Sequence, residues 1–125
     1  VVVHLDTHVL VWLAGRSAHR LSRAALGAIE SADLRISPIV LLELQYLHGI
    51  GRTPVKPDAI LLDLTGWLGL TVSDTPFATV VEHARGLDWT RDPFDRLIAA
   101  SAIAEAATLV TADETIRRHL PGTVW

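Results

Sequence analysis

The sequence predicts an α/β fold: a central parallel β-sheet of about four or five strands flanked by helices on both faces. Three observations point there. Short β-branched runs alternate with longer helical stretches, acids or hydroxyl residues follow directly on the ends of those runs, and prolines sit one residue after Ser or Asp where helices should open. At 125 residues, half of them apolar, residues 1–125 are read as a single domain whose core needs neither disulfide nor structural metal.

Val1 to Leu5 has the continuous apolar character of a buried parallel strand, with Asp6 at its C-terminal end. LSRAALGAIES reads as a helix, Ser22 its N-cap and Leu21 and Leu26 its hydrophobic staple, and LRIS as a second strand. Ser37 then caps, and Pro38 opens, a helix running to Gly49 or Gly51. GRTPVKP is a loop, with two prolines, a glycine and two positive charges. A helical segment ending near Leu70 leads into a third strand at Leu70 to Val72, and Ser73-Asp74-Thr75-Pro76 restarts a helix by the same cap-then-proline logic. Asp92 and Pro93 open a helix through about Ala106. TLVT is a strand, Asp113 starts a short helix, and GTVW closes with an edge strand.

Composition narrows the chemistry. Cysteine is absent, which excludes a disulfide framework, a thiolate zinc site and a catalytic thiol. VVVHLDTH does not resemble a secretory signal, and the weakly polar stretch from Leu97 to Val110 is broken by Ser101 and Glu105, well short of the roughly 18 residues of a membrane span. The expectation is a cytoplasmic protein with no membrane role. A formal charge of −3 argues against a surface given over to polyanion binding, yet the positive charges cluster: Arg16, His19, Arg20 and Arg23; Arg52 and Lys56; Arg91 and Arg96; Arg117, Arg118 and His119. Arg52, Lys56, Arg91 and Arg96 are the candidate phosphate contacts.

Four carboxylates carry the chemistry. Asp6 and Asp113 follow strand-like runs, and in open α/β sheets sites form beyond the carboxyl ends of strands. Glu43 interrupts a helix otherwise apolar at Ile39, Val40, Leu41, Leu42, Leu44 and Leu47, which leaves it without an evident structural use. Asp95 shares a helix face with Ile98, Ala99 and Ala102 and should point inward. At about 5 Å and an effective dielectric near 20, each pair of converging charges repels by roughly 3 kcal/mol, so such a cluster must bind cations or stay partly protonated. Hard oxygen ligands suit Mg²⁺ or Mn²⁺.

Plainer roles compete. Asp92 is a natural N-cap, Asp95 a first-turn charge on a helix dipole, and Asp113 a cap for its helix, with Thr111 and Glu114 an alternative capping box. His4 and His8 flank Asp6, but His8 falls on the next helix and no distant His recurs at ligand spacing. Trp12, Trp67, Trp89, Trp125, Phe77 and Phe94 are spread too widely for a base-stacking platform and read as core or interface residues.

VVVHLDTHVLVWL, SPIVLLELQYLHG, RDPFDRLIAASAIAEAATLVTADETI and the closing VW together resemble a PIN-domain ribonuclease, specifically a VapC-type toxin of a type II toxin–antitoxin pair, over nearly the whole chain. The resemblance implies that Asp6, Glu43, Asp95 and Asp113 form the catalytic quartet holding Mg²⁺ or Mn²⁺, that Thr111 lies beside it, and that Asp92 is an outer or second contact. It implies metal-dependent cleavage of structured RNA such as tRNA or rRNA loops, leaving a 5′-phosphate and a 3′-hydroxyl. It also implies a homodimer and a small VapB-type antitoxin. A dehalogenase-type phosphatase would need Asp where His8 stands, and a receiver module would need a late lysine where the only one is Lys56. The alternative of another class is a PIN-like protein-interaction module with weak or no catalysis.

Overall fold

The computed structural model describes all of residues 1–125. The strands are β1 (Val2–Leu5), β2 (Asp33–Ile36), β3 (Thr71–Val72), β4 (Thr108–Val110) and β5 (Thr123–Val124). The helices are α1 (Thr7–Ala14), α2 (Arg23–Ile29), α3 (Pro38–Gly49), α4 (Pro57–Leu68), α5 (Phe77–Arg85), α6 (Pro93–Ala104) and α7 (Glu114–His119), with a 3₁₀ turn at Ala18–Arg20. The five strands form one sheet in the order β3-β2-β1-β4-β5, and every neighbouring pair is parallel.

That order places the site. The chain steps outward from β1 to β2 to β3, then returns across the sheet to lay β4 on the other side of β1. The direction of winding reverses between β1 and β4, and right-handed crossovers cover opposite faces before and after the reversal. A crevice opens where the connections leaving β1 and β4 part. The register fixes its depth: Val3, His4 and Leu5 pair with Thr108, Leu109 and Val110. The Asp6 amide extends the ladder one step further by donating to the Val110 carbonyl at 3.0 Å.

Beneath the crevice lies a core of 22 buried residues, with Val3, Leu5, Leu34, Ile36, Leu109 and Val110 from the sheet and Leu10, Leu13, Val40, Leu44, Leu64 and Ile98 from the helices. Each buried Leu or Ile contributes about 2 kcal/mol, so the edge of the sheet is a stiff platform. α6 packs against α3, α5 and β4. In its C-terminal half, the buried Ser101 hydroxyl donates to the Ser37 hydroxyl that caps α3 at 2.8 Å. Past its C-terminus, Glu105 accepts hydrogen bonds from Ser73 and Thr75 and ion-pairs with Arg35 at 2.9 Å. His4 is buried with Nε2 3.4 Å from the same carboxylate, and burial, opposed by Glu105, holds its pKa below the usual imidazole value.

Most elements fall where the residues predict them, and the exceptions have physical causes. Ser22, Ser37, Asp92 and Asp113 cap their helices through side-chain oxygens, so Asp113 rather than a Thr111–Glu114 box starts α7. Ser73 does not cap α5. Its hydroxyl is taken by Glu105, and the helix begins later, at Phe77, with Pro76 in the cap position. α6 stops at Ala104 because Ala106 turns into the left-handed region at φ 51°, short of the expected end. No helix is long and apolar enough to cross a membrane.

α4 ends on Gly69 at φ 69°, a left-handed C-cap that L side chains resist, while Gly66 sits inside the same helix with open space where a Cβ would stand. Gly69→Ala is expected to lower stability by about 1 kcal/mol and Gly66→Ala to raise it by roughly 0.5–1 kcal/mol. Urea melts that move both variants in the same direction would contradict this placement of the α4 terminus.

Candidate acidic site

Four separate segments deliver carboxylates to one cavity at the β1–β4 switch point. Its volume is about 330 Å³, and its lining includes Asp6, Glu43, Asp92, Asp95 and Asp113, with His8 and Trp12 on the α1 side. Asp6 follows β1, Glu43 stands mid-way along α3, Asp92 and Asp95 open α6, and Asp113 follows β4. All four acids of the predicted quartet, with Asp92, are therefore brought together.

Three helices begin at this cavity, and their capping residues are three of its acids. Asp6 caps α1, accepting from the Thr7 amide at 2.8 Å; Asp92 caps α6, accepting from Phe94 at 2.8 Å; Asp113 caps α7, accepting from Ile116 at 2.9 Å. The positive ends of three helix dipoles thus face the carboxylates and offset part of their repulsion. Capping and clustering are compatible roles here, because a carboxylate that spends one oxygen on a helix amide keeps lone pairs for the cavity.

Two threonines knit the acids together. Thr111 donates to Asp6 at 2.5 Å and accepts from the Asp113 amide at 3.1 Å, so one hydroxyl sets the spacing between the ends of β1 and β4. Thr7, fully buried, donates its hydroxyl to Glu43 while its amide holds Asp6. The sequence reading missed Thr7. The available signal was a hydroxyl directly after the strand-end acid, which by itself reads as an ordinary first residue of a helix.

Asp95 is different. It accepts no side-chain or backbone hydrogen bond, and its pKa is pushed up to about 7, first by burial and then by the charges of Asp92, Asp113, Asp6 and Glu43. Asp6 and Glu43 are raised too, each mainly by burial, with hydrogen bonds from Thr111 and Thr7 respectively working the other way. The site holds more negative charge than it can stabilise alone. No three of these side chains sit close enough together to bind one ion directly. The donor set fits a cation that keeps part of its water shell, as Mg²⁺ does when one or two carboxylates bind it.

Other expectations fare unevenly. His4 turns to Glu105 and His8 to the cavity, so the two histidines do not share a centre. None of Arg52, Lys56, Arg91 and Arg96 lines the acidic cavity. Arg96 is occupied by the Thr90 carbonyl at 2.7 Å, and Arg52 and Lys56 are exposed beyond the far end of α3. The aromatics are less dispersed than their numbering implies: Trp12 and Trp125 lie 5.7 Å apart, and Trp12 is on the cavity wall. Their pairing depends on where β5 docks, which no local pattern reveals.

Residues 3–119 match the PIN domain family. The chain belongs to that family. This PIN domain is 36% identical, over 133 aligned positions covering 98% of each chain, to Ribonuclease VapC22 of Mycobacterium tuberculosis. Among solved structures it is similar to VapBC2 of Rickettsia felis bound to a DNA fragment from their promoter, with a TM-score of 0.65, 26% identity and coverage of 98% and 96%. It is also similar to DNA-bound VapBC of Salmonella typhimurium, with a TM-score of 0.60, 21% identity and coverage of 97% and 93%, a likeness that speaks for the fold alone. The VapC-type resemblance drawn from LDTH, DPFDRLIAA and TLVT-x-D holds for this PIN domain.

The raised pKa of Asp95 has a measurable consequence. Between its ordinary value of 3.8 and about 7 the folded state binds the proton more tightly than the unfolded chain. Stability of the metal-free protein therefore falls as pH rises through that window and levels off above it. Asp95→Asn should flatten this dependence. Because a cation competes with the proton, Mn²⁺ should raise the melting temperature more at about pH 8 than at about pH 5. Equal metal-induced shifts at both would argue against carboxylates as the ligands.

Proposed function

We propose that this PIN domain is a Mg²⁺- or Mn²⁺-dependent endoribonuclease, the toxin of a toxin–antitoxin pair, with Asp6, Glu43, Asp95 and Asp113 as its metal-holding catalytic residues. One observation carries the reading. Asp95, free of hydrogen bonds and pushed up to about 7, faces a cavity ringed by other carboxylates, which is the electrostatic signature of a site built for a cation. A ribonuclease relative at 36% identity supports nuclease activity.

When bound, the cation supplies a water nucleophile at neutral pH and offsets charge building on a phosphodiester. The chain's own groups set the geometry. Asp6 would be the fixed ligand, since the Thr7 amide and the Thr111 hydroxyl hold its two oxygens. Glu43 is oriented by Thr7, Asp113 is anchored to the start of α7, and Asp95, whose carboxylate no hydrogen bond holds, would be free to help hold the cation. Asp92, exposed at the rim and capping α6, is an outer contact. The substrate is a structured RNA, tRNA or rRNA loops by resemblance, cut to a 5′-phosphate and a 3′-hydroxyl.

Relatives solved as VapBC complexes support a VapB-type antitoxin as partner. Exposed Leu42, Tyr46 and Ile50 on and just past α3, and Leu62 and Trp67 on α4, offer the apolar surface that such a partner or a second copy in a homodimer would cover.

The decisive measurement is a transcriptome-wide map of new RNA 5′-phosphate ends after brief induction, native chain against Asp95→Asn. Sharp ends at a few sites should appear only with Asp95 present, and Asp6→Asn or Glu43→Gln should cut the rate by at least about 100-fold with the fold intact. Thr7→Val, which keeps the amide on Asp6 and removes the hydroxyl from Glu43, should cost on the order of tenfold. Identical end maps from folded, unmasked native and Asp95→Asn proteins would remove the enzyme reading and favour the interaction module.

A further inference from the structure

A cavity lined by carboxylates repels the polyanion it is proposed to cut, so the strand must be held by cations close by. A second cavity, of about 670 Å³, is lined by Arg117, Arg118, Ala24, Thr123, Val124 and Trp125, with Glu114 its single acid. It is joined to the acidic cavity by one aromatic wall. Trp12 lines the first cavity and Trp125 the second, with ring centroids 5.7 Å apart at 48°. The Arg20 guanidinium lies 5.9 Å from the Trp12 ring. Arg117 follows Asp113 by one turn of α7.

Seven arginines enter no ion pair, Arg20, Arg23, Arg52, Arg91, Arg96, Arg117 and Arg118, and three of these line the larger cavity or stand at the aromatic wall. Arg16, Arg35 and Arg85 are paired with Asp63, with Asp33 and Glu105, and with Glu82. Arg20, Arg117 and Arg118 are exposed and enter no ion pair, leaving their guanidinium donors free for phosphate oxygens. Trp12 and Trp125 are only half-buried, each leaving ring surface open at a cavity.

We propose that Trp12, Trp125, Arg20, Arg117 and Arg118 form the track that holds single-stranded RNA beside the acidic cavity. The paired indoles stack a base and the arginines take the flanking phosphates. This track is a binding surface, not a set of catalytic residues, and it rests on the ribonuclease reading above.

The test uses the full chain carrying Asp95→Asn, with Mg²⁺, and a short fluorescein-labelled single-stranded RNA of mixed sequence, read by anisotropy across a salt series. Adding Arg117→Gln with Arg118→Gln should weaken binding roughly tenfold and make the slope of log affinity against log salt shallower by about 1.4, the value for two lost phosphate contacts on a single strand. Trp12→Leu should weaken binding roughly tenfold with the slope unchanged, the mark of a lost stack. Thermal melts run alongside; if Trp12→Leu fails to fold, the exposed arginine pair decides. Parent-like affinity and slope in the variants would overturn the track while leaving the enzyme reading to its cleavage test. A parent that binds no RNA would overturn the track in the same way.

Discussion

Repulsion among carboxylates crowded at the carboxyl edge of a parallel sheet is the force against which the rest of this protein is arranged. Three helix N-termini, two threonine hydroxyls and a stiff apolar platform all act to hold charges where they would not gather unaided. The compensation is uneven. Asp6 and Asp113 have helix amides and Thr111, Glu43 has Thr7, and Asp95 has nothing but the cavity. That gradient divides the cluster into anchored groups and one responsive group. A cation would offset charge that the fold leaves unbalanced.

The axial position of Asp95 depends on contacts far from it. α6 is a single stiff rod whose first turn carries Asp95 and whose far end carries Glu105, and Glu105 is gripped by hydroxyls from the segment after β3 and by Arg35 of β2. Ser101 ties the same rod to the cap of α3, the helix that bears Glu43. Two acids with no shared element are thereby indexed to each other through one serine pair. Substitutions at Ser101 or Glu105 would act on the cavity through helix placement.

Much of this was legible in the residues themselves. Strand ends mark Asp6 and Asp113, the Asp-Pro start marks α6 and with it Asp95, and Glu43 betrays itself as a charge in an apolar helix. Ser73-Asp74-Thr75-Pro76 looks like a cap followed by a proline, whereas the Ser73 hydroxyl goes to Glu105, far along the chain, and Pro76 itself takes the cap position. Thr7 and the Trp12–Trp125 pair escaped for a related reason. Their meaning comes from the register of β4 and β5 on β1, and a non-local pairing leaves no period to read. The basic residues show the limit most plainly, since the loop that looks most like a nucleic-acid contact, GRTPVKP, sits away from the acids.

The order of the strands has a consequence in time. β1 leaves the ribosome more than 100 residues before β4, and no intermediate length of chain can bring Asp6 beside Asp113 before the two strands pair. A ribosome-bound chain lacking β4 carries a half-built sheet and no assembled acid cluster, so the cluster arises at once, only after β4 has emerged. Closing so distant a contact is also an entropically costly step of folding, which makes the pairing of β1 with β4 the event that separates scattered acids from an assembled cluster.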